Sequence, residues 1–302
     1  MEIGMIGLGR MGSNMAQRLS SGGHRVVAYD KDTDARLHIS SMDIPTVSSI
    51  SELIAQVSPP RYIFCMLPSG EPTESIILSL KDELTSGDTV LDGGNANYKE
   101  SIRRYELLAK DGIHFLDVGI SGGIWGLDHG YSLMVGGDKS SFTHIEPIFQ
   151  TLSPTPDTGY SYVGKRGSGH FVKMIHNAVE YGMMQAYAEG FELLEAKTEF
   201  ELDLQTIAET WRFGSVVRSW LLDLTSEALS EDAKLSGLEG YVEDTGEGRW
   251  AVQESVDLAI PAPIITLSLL ERFRSRQDNP LGRRLLAALR KQFGGHSIKP
   301  SE

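Results

Sequence analysis

The chain has a single cysteine, Cys65, so no intramolecular disulfide can form and a reducing, cytoplasmic setting is expected. It has no apolar run of about 18 residues, the length a membrane helix needs, and Met1 leads directly into strand-like residues. Neither a membrane span nor a signal peptide is therefore expected. Basic side chains are also scarce, 28 Lys and Arg against 41 Asp and Glu, for a net charge of −13. That balance opposes nucleic acid and anionic membrane surfaces, and neither is expected as a partner. Proline is sparse at 12 residues while 40% of the chain is hydrophobic, which excludes a disordered or collagen-like polymer. At 302 residues the chain is long enough for two domains.

Glycine is unevenly spread, with 22 of 32 residues before His170. In that glycine-rich part, short apolar runs at Ile3 to Ile6, Arg25 to Tyr29, Tyr62 to Leu67, Thr89 to Leu91 and His114 to Val118 alternate with helix-like segments. Alternation of this kind predicts a parallel sheet with crossover helices, which Tyr131 to Val135 and Gly159 to Val163 would complete. Beyond Gly164 to Gly169 the periodicity becomes helical, beginning with Phe171 to Lys197. The expected fold is α/β: a doubly wound sheet domain over 1–166, then an all-α domain over 167–302. Leu238 to Gly248 and the residues after Gly294 are expected to be irregular.

The first strand runs into Gly7-Leu8-Gly9-Arg10-Met11-Gly12, followed by a predicted helix over Ser13 to Ser20. A glycine loop of this spacing between strand and helix fits a dinucleotide pyrophosphate: the first glycine makes the turn, the second admits the ligand, the third lets helix pack on strand. Asp30 ends the second strand 18 residues after Gly12, where a carboxylate can accept from a free ribose 2′-hydroxyl and repel a 2′-phosphate. NAD is the expected cofactor, with NADP as the alternative, because Arg10 and Lys31 stand close by in sequence.

Farther along, Lys173, His176, Asn177, Glu180 and Tyr181 recur at helical spacing and share roughly 140° of arc. A lysine and a glutamate two turns apart can perform complementary proton transfers. His176 and Glu180 lack a companion at metal-ligand spacing, so no metal is expected. Met183, Met184, Trp211, Phe213 and Trp220 read as core or subunit-interface groups. His24, His38 and His114 read as uncompanioned surface or structural groups, and Asp88 and Asp92 as turn residues.

These motifs resemble the 6-phosphogluconate dehydrogenase family, specifically its short-chain decarboxylating form within the β-hydroxyacid dehydrogenase superfamily. The resemblance extends through Leu-Asp-Gly-Gly-Asn at 91–95, Asp-Val-Gly-Ile-Ser-Gly-Gly-Ile-Trp-Gly at 117–126 and His-Phe-Val-Lys-Met-Ile-His-Asn-Ala-Val-Glu-Tyr-Gly at 170–182. It continues in Gly-Glu-Gly-Arg-Trp at 246–250 and Arg-Lys-Gln-Phe-Gly-Gly-His at 290–296. It implies oxidative decarboxylation of 6-phospho-D-gluconate to D-ribulose 5-phosphate and CO2 with reduction of NAD, in pentose phosphate or gluconate metabolism. The alternative is a non-decarboxylating NAD-dependent β-hydroxyacid dehydrogenase, which would release no CO2.

Carried over by position, the resemblance makes Lys173 the general base and Glu180 the general acid, with His176 and Asn177 beside them. Leu67 and Asn95 join Gly7, Leu8, Gly9, Arg10, Met11, Gly12, Asp30 and Lys31 around the cofactor. Asn95, Ser121, Gly122, Gly123, His176 and Asn177 would hold the sugar acid, and Tyr181 and Arg272 its phosphate. Arg290 and His296 would reach a partner subunit's active site, implying a homodimer or a tetramer of dimers. Two positions depart from the pattern: Thr245 replaces a phosphate-contacting lysine, with Arg249 the candidate substitute, and Ala96 replaces a serine. From Arg272 onward, eight Lys and Arg face only two Asp and Glu, so the cations gather where the resemblance expects an anion.

Overall fold

The protein is described by a computed structural model covering residues 1–299. Eight strands form one sheet: β1 Glu2–Ile6, β2 Arg25–Tyr29, β3 Thr46–Val47, β4 Tyr62–Cys65, β5 Thr89–Asp92, β6 His114–Ser121, β7 Ser132–Gly137 and β8 Tyr160–Gly164. Their spatial order is β3-β2-β1-β4-β5-β6-β7-β8, which places the reversal of winding between β1 and β4. In doubly wound sheets, ligands bind beyond the carboxyl ends of the strands at that reversal.

Helices α1 Arg10–Ser21, α2 Thr33–Ser40, α3 Ile50–Gln56, α4 Glu71–Glu83, α5 Tyr98–Ala109, α6 Gly126–His129 and α7 Lys139–Leu152 make the connections. The strands are apolar on both faces because both are covered. Ile3, Met5, Phe64 and Leu116 pack on one side with Met15, Leu19 and Phe149 of α1 and α7. Ile6, Ile63, Cys65 and Val90 pack on the other with Leu53, Ile77 and Leu108 of α3, α4 and α5. Each fully buried aliphatic side chain contributes about 1.5–3 kcal/mol. Burial pushes the Cys65 thiol well above its ordinary pKa, with Asp92 adding to the effect.

Two sequence expectations are corrected here, and one strand was not anticipated. The sheet is not wholly parallel: β6 and β7 pair antiparallel, because the segment between them is too short for a crossover, which takes about a dozen residues or more. Helix α1 begins at Arg10 rather than Ser13, with Gly9 at its N-cap, so half of the glycine motif is already helical. The two-residue strand β3 is too short to leave a periodic signal.

The chain divides into two compact units, one from Met1 to His176 and one beginning at Asn177. Helix α8, Ser168–Ala196, starts in the first and continues in the second. The second unit adds α9 Leu204–Arg212, α10 Trp220–Glu231, α11 Glu247–Asp257, α12 Pro263–Ser275 and α13 Leu281–Gly294. Phe191 of α8, Ala208 of α9, and Leu222 and Leu229 of α10 form its apolar centre, with Trp211 packed against them. Phe213, Trp220, Met183 and Met184 are exposed on the single chain. The segment after α10 is irregular up to Gly246, whereas Glu247 and Gly248, expected in the irregular stretch, already belong to α11. Among the described residues no helix is long and apolar enough to cross a membrane.

Candidate active site

At the carboxyl end of β1 the three glycines of the motif have separable reasons. Gly7 sits at φ +93°, and a Cβ there would run into the carbonyl of Met66 after β4. A Cβ at Gly12 would run into the carbonyl of Gly7, so this glycine lets α1 lie against the loop. Gly9 differs: its φ of −62° suits any residue, and a Cβ there would meet nothing within 4 Å. The protein itself gives no steric reason for that glycine, whereas a pyrophosphate approaching the first turn of α1 does. The chemistry of the loop therefore fits a dinucleotide.

Asp30 stands where the sequence places it. Its Oδ2 accepts from the Leu8 N–H at 2.6 Å and its Oδ1 from the Asp32 N–H at 2.8 Å, so the carboxylate is tied to the glycine loop. Arg10 and Lys31 are exposed. Sequence reasoning missed Arg36, whose guanidinium donates to the carbonyls of Asp30 at 2.6 Å and Lys31 at 3.2 Å. Its signal was available in its spacing, one helical turn into α2.

The next two strand ends complete this side. A Cβ at Gly94 would approach the Leu67 carbonyl at 2.6 Å, so the loop bearing Asn95 lies against the loop bearing Leu67. Asp92 holds that arrangement: Oδ1 accepts from Gly94 N–H at 3.1 Å and Oδ2 from the buried Arg104 at 3.1 Å. Asp92 thus has a buried ion pair besides its expected turn role. Asp88 keeps its turn role, accepting from the backbone N–H groups of Arg61 and Thr85 at 2.7 and 2.9 Å. Asn95 is exposed, and Ser121 ends β6 just before Gly122 and Gly123, both at positive φ. His24 and His114 are not uncompanioned: each meets a polar side chain, Thr151 at 2.8 Å and Asp138 at 3.2 Å respectively.

Helix α8 carries the predicted polar face. Lys173 is only 8% exposed, and a Cβ added to Gly119 of β6 would collide with its Cβ. His176 and Glu180 are half-buried on the same helix. In the second unit, Asn177 Nδ2 donates to Glu247 Oε1 at 3.1 Å, and Thr245 Oγ1 donates to Glu247 Oε2 at 2.5 Å. Glu247 is 1% exposed and was not anticipated, because nothing local to 245–250 marks a bond reaching back to α8. The Arg272 guanidinium carbon lies 3.5 Å from the centre of the Tyr181 ring, while its Nη1 donates to the Glu243 carbonyl at 2.7 Å. The Tyr181 hydroxyl accepts from the Thr245 N–H at 3.4 Å, and Gly248 leaves room for the ring.

Arg249, the candidate substitute for the missing lysine, is paired with an acid. Two of its nitrogens donate to Asp244, at 2.6 and 3.1 Å, and its guanidinium carbon lies 4.4 Å from the Phe273 ring centre. Arg276 donates to the same carboxylate at 2.7 Å. The Arg249 bond foremost, with Arg276 adding to it, holds the Asp244 carboxyl below its usual range. Arg290 on α13 and His296 just beyond it are exposed, as are Leu285, Leu286, Leu289 and Phe293 of the same helix. Among the described residues no group of three or more His, Cys, Asp or Glu is arranged to hold a metal.

Two family profiles match the chain: "NAD binding domain of 6-phosphogluconate dehydrogenase" over 2–164 and "6-phosphogluconate dehydrogenase, C-terminal domain" over 169–293. An NAD(+)-dependent, decarboxylating 6-phosphogluconate dehydrogenase of Haloferax volcanii is 41% identical, across 99% of this chain and 98% of its own. The solved Plasmodium falciparum 6-phosphogluconate dehydrogenase, studied apo and in complex with NADP+ and with 6-phosphogluconate, superposes with a TM-score of 0.84 at 26% identity. That match covers 100% of this chain and 67% of the other. A 3-hydroxyisobutyrate dehydrogenase of Mycobacterium tuberculosis, 21% identical over 88% of this chain and 90% of its own, shares the fold with a TM-score of 0.72.

Proposed function

The chain belongs to the 6-phosphogluconate dehydrogenase family, and from that premise we propose that the polar face of α8 carries its chemistry. The reaction is oxidative decarboxylation of 6-phosphogluconate to ribulose 5-phosphate and CO2 with reduction of NAD(P). The observation that best supports the assignment of residues is the buried Lys173, fixed over Gly119 on a helix that presents His176, Asn177, Glu180 and Tyr181 on the same side.

The dinucleotide supplies the hydride acceptor when bound; Gly7 to Gly12, Asp30, Lys31, Leu67 and Asn95 are the residues that would hold it. Lys173 takes the proton from the C3 hydroxyl as the carbinol carbon is oxidised. The carboxylate then lies β to a ketone, and the protonated Lys173 donates a hydrogen bond to the oxygen that becomes an enolate as CO2 leaves. Glu180, two turns along the helix, protonates C1 of the enediol. Asn95, Ser121, Gly122, Gly123, His176 and Asn177 orient the sugar acid, with Asn177 itself held by Glu247. Tyr181 and Arg272 bind the phosphate, and their stacking pre-orients the guanidinium.

The Asp30 carboxylate favours NAD over NADP, since a 2′-phosphate would meet its charge. The exposed apolar residues of α13 support a homodimer, or a tetramer built from dimers, in which Arg290 and His296 serve the partner's active site. A reducing, cytoplasmic location fits the single buried thiol. Initial rates with 6-phosphogluconate and either cofactor, with CO2 trapped, test the whole reading. NADH and CO2 should appear in equal amounts and NAD should be the more efficient cofactor. Reduced cofactor without CO2 would overturn the decarboxylating assignment, and equal efficiency with NADP would overturn the role of Asp30.

A further inference from the structure

Helix α8 starts without a capping side chain of its own. Its N-cap position is Gly167, at φ +84°, and the first N–H groups of any helix lack partners within it. Asp117 of β6 supplies them from 50 residues upstream: Oδ1 accepts from Gly167 N–H at 2.8 Å and Oδ2 from His170 N–H at 2.9 Å. The carboxylate is fully buried, and a negative charge there suits the positive end of the helix dipole.

The same turn is pressed onto strand backbone. A Cβ at Gly169 would run into the carbonyls of Asp117 and Met134, and one at Gly136 would come within 2.5 Å of Gly169 N. His170 is also fixed through its ring, whose Nδ1 lies 2.6 Å from Ser101 Oγ on α5. Along a strand, alternate residues share a face, so Asp117 and Gly119 both point to α8. Asp117 meets the helix at His170, and Gly119 meets it three residues later, at Lys173.

We infer that Asp117 is a positioning residue for the reaction: by capping α8 it sets the height and rotation at which Lys173 is presented over Gly119. The inference rests on the assignment of Lys173 as general base. A carboxylate is needed because both of its oxygens accept from N–H groups. The side-chain amide of an asparagine would keep one bond and set a donor against a donor at the other.

The test compares wild type, Asp117→Asn and Gly119→Ala in kcat, in the KM values for sugar acid and cofactor, and in the isotope effect on kcat with substrate deuterated at C3. Gly119→Ala presses on Lys173 and on the Gly169 carbonyl of the same turn while leaving the Asp117 side chain unchanged, so it reads the cost of displacing that turn if Asp117→Asn does not fold. In either variant kcat should fall about tenfold or more, as expected for sub-ångström misplacement of a reacting group, with both KM values within about threefold of wild type. The isotope effect should rise, because the chemical step becomes the slow one. A merely structural defect would lower the amount of active enzyme and leave the isotope effect where it was. That result, unchanged kcat, or a loss confined to KM would overturn the inference. If wild type fails to oxidise 6-phosphogluconate, the functional reading fails instead. The cap is then judged by the rate at which pyridoxal 5′-phosphate and borohydride label Lys173, read by peptide mass spectrometry. Labelling should differ about tenfold between wild type and Asp117→Asn, and equal rates would overturn the inference.

Discussion

The two stretches of α8 are secured by opposite means. Around Lys173 the helix is held chiefly against backbone: glycines at 119, 136 and 169 remove the side chains that would separate helix from sheet, and Asp117 bonds only to main-chain N–H groups, with the His170 ring on Ser101 as an added side-chain contact. Around Asn177 and Tyr181 it is side chains that do the holding, through Glu247, Thr245 and Arg272. Backbone contact leaves almost no freedom in where the Lys173 side chain starts, as near-attack geometry would demand of a general base. Side-chain contact can be remodelled one residue at a time. The departure at Thr245 falls in that second stretch.

The contrast predicts that damage at the start of the helix appears in kcat and damage farther along appears in KM. The largest effect is expected for Lys173→Met, which should lower both NADH and CO2 formation by about 10⁴-fold, the upper end for loss of a general base. Retention of near-normal turnover would remove Lys173 from the mechanism. Glu180→Gln is the deliberate exception, because the chemical role proposed for Glu180 falls within the second stretch. Turnover should fall about 10²-fold while a single-turnover burst of NADH survives, and absence of the burst would assign Glu180 to an earlier step. Arg272→Ala should raise the substrate's KM by roughly 10- to 100-fold, the value of a lost charged hydrogen bond, and change kcat far less. A loss mainly in kcat would erase the distinction between the stretches.

The smallest expected effect concerns stability alone. The Asp244 carboxyl, clasped by Arg249 and Arg276, has its folded pKa below its unfolded one, so its contribution is complete above about pH 4 and fades as the pH falls below that. Melting curves at pH 3 to 7 should show Asp244→Asn less stable than wild type at neutral pH, with the gap closing in acid. A gap independent of pH would mean that charge has no part in the clasp.

Much of this was legible in sequence for a physical reason: the glycine loop and the polar face of α8 are short-period patterns whose geometry is local. The strand positions were legible for the same reason, since runs such as Arg25 to Tyr29 are bounded by turn residues. What escaped was set at long range. The reversed direction of β7 follows from the length of a connection, not from anything in the strand itself. Asp117, in a stretch quoted only for its motif, and Glu247 act across 50 or more residues, and neither carries a neighbouring sign of its partner. Arg249 stands out in sequence as a cation beside a missing lysine, whereas its pairing with Asp244, five residues earlier, is visible only in the structure.

Cys65 has a practical consequence. Its thiol is enclosed between β1 and β5, and burial suppresses the thiolate that alkylating reagents require. The folded protein is thus a nearly silent background for thiol labelling. A cysteine introduced at an exposed position, such as Ser297→Cys beyond α13, would react alone, so a spin label or crosslinker could follow the C-terminal segment without first removing a native thiol.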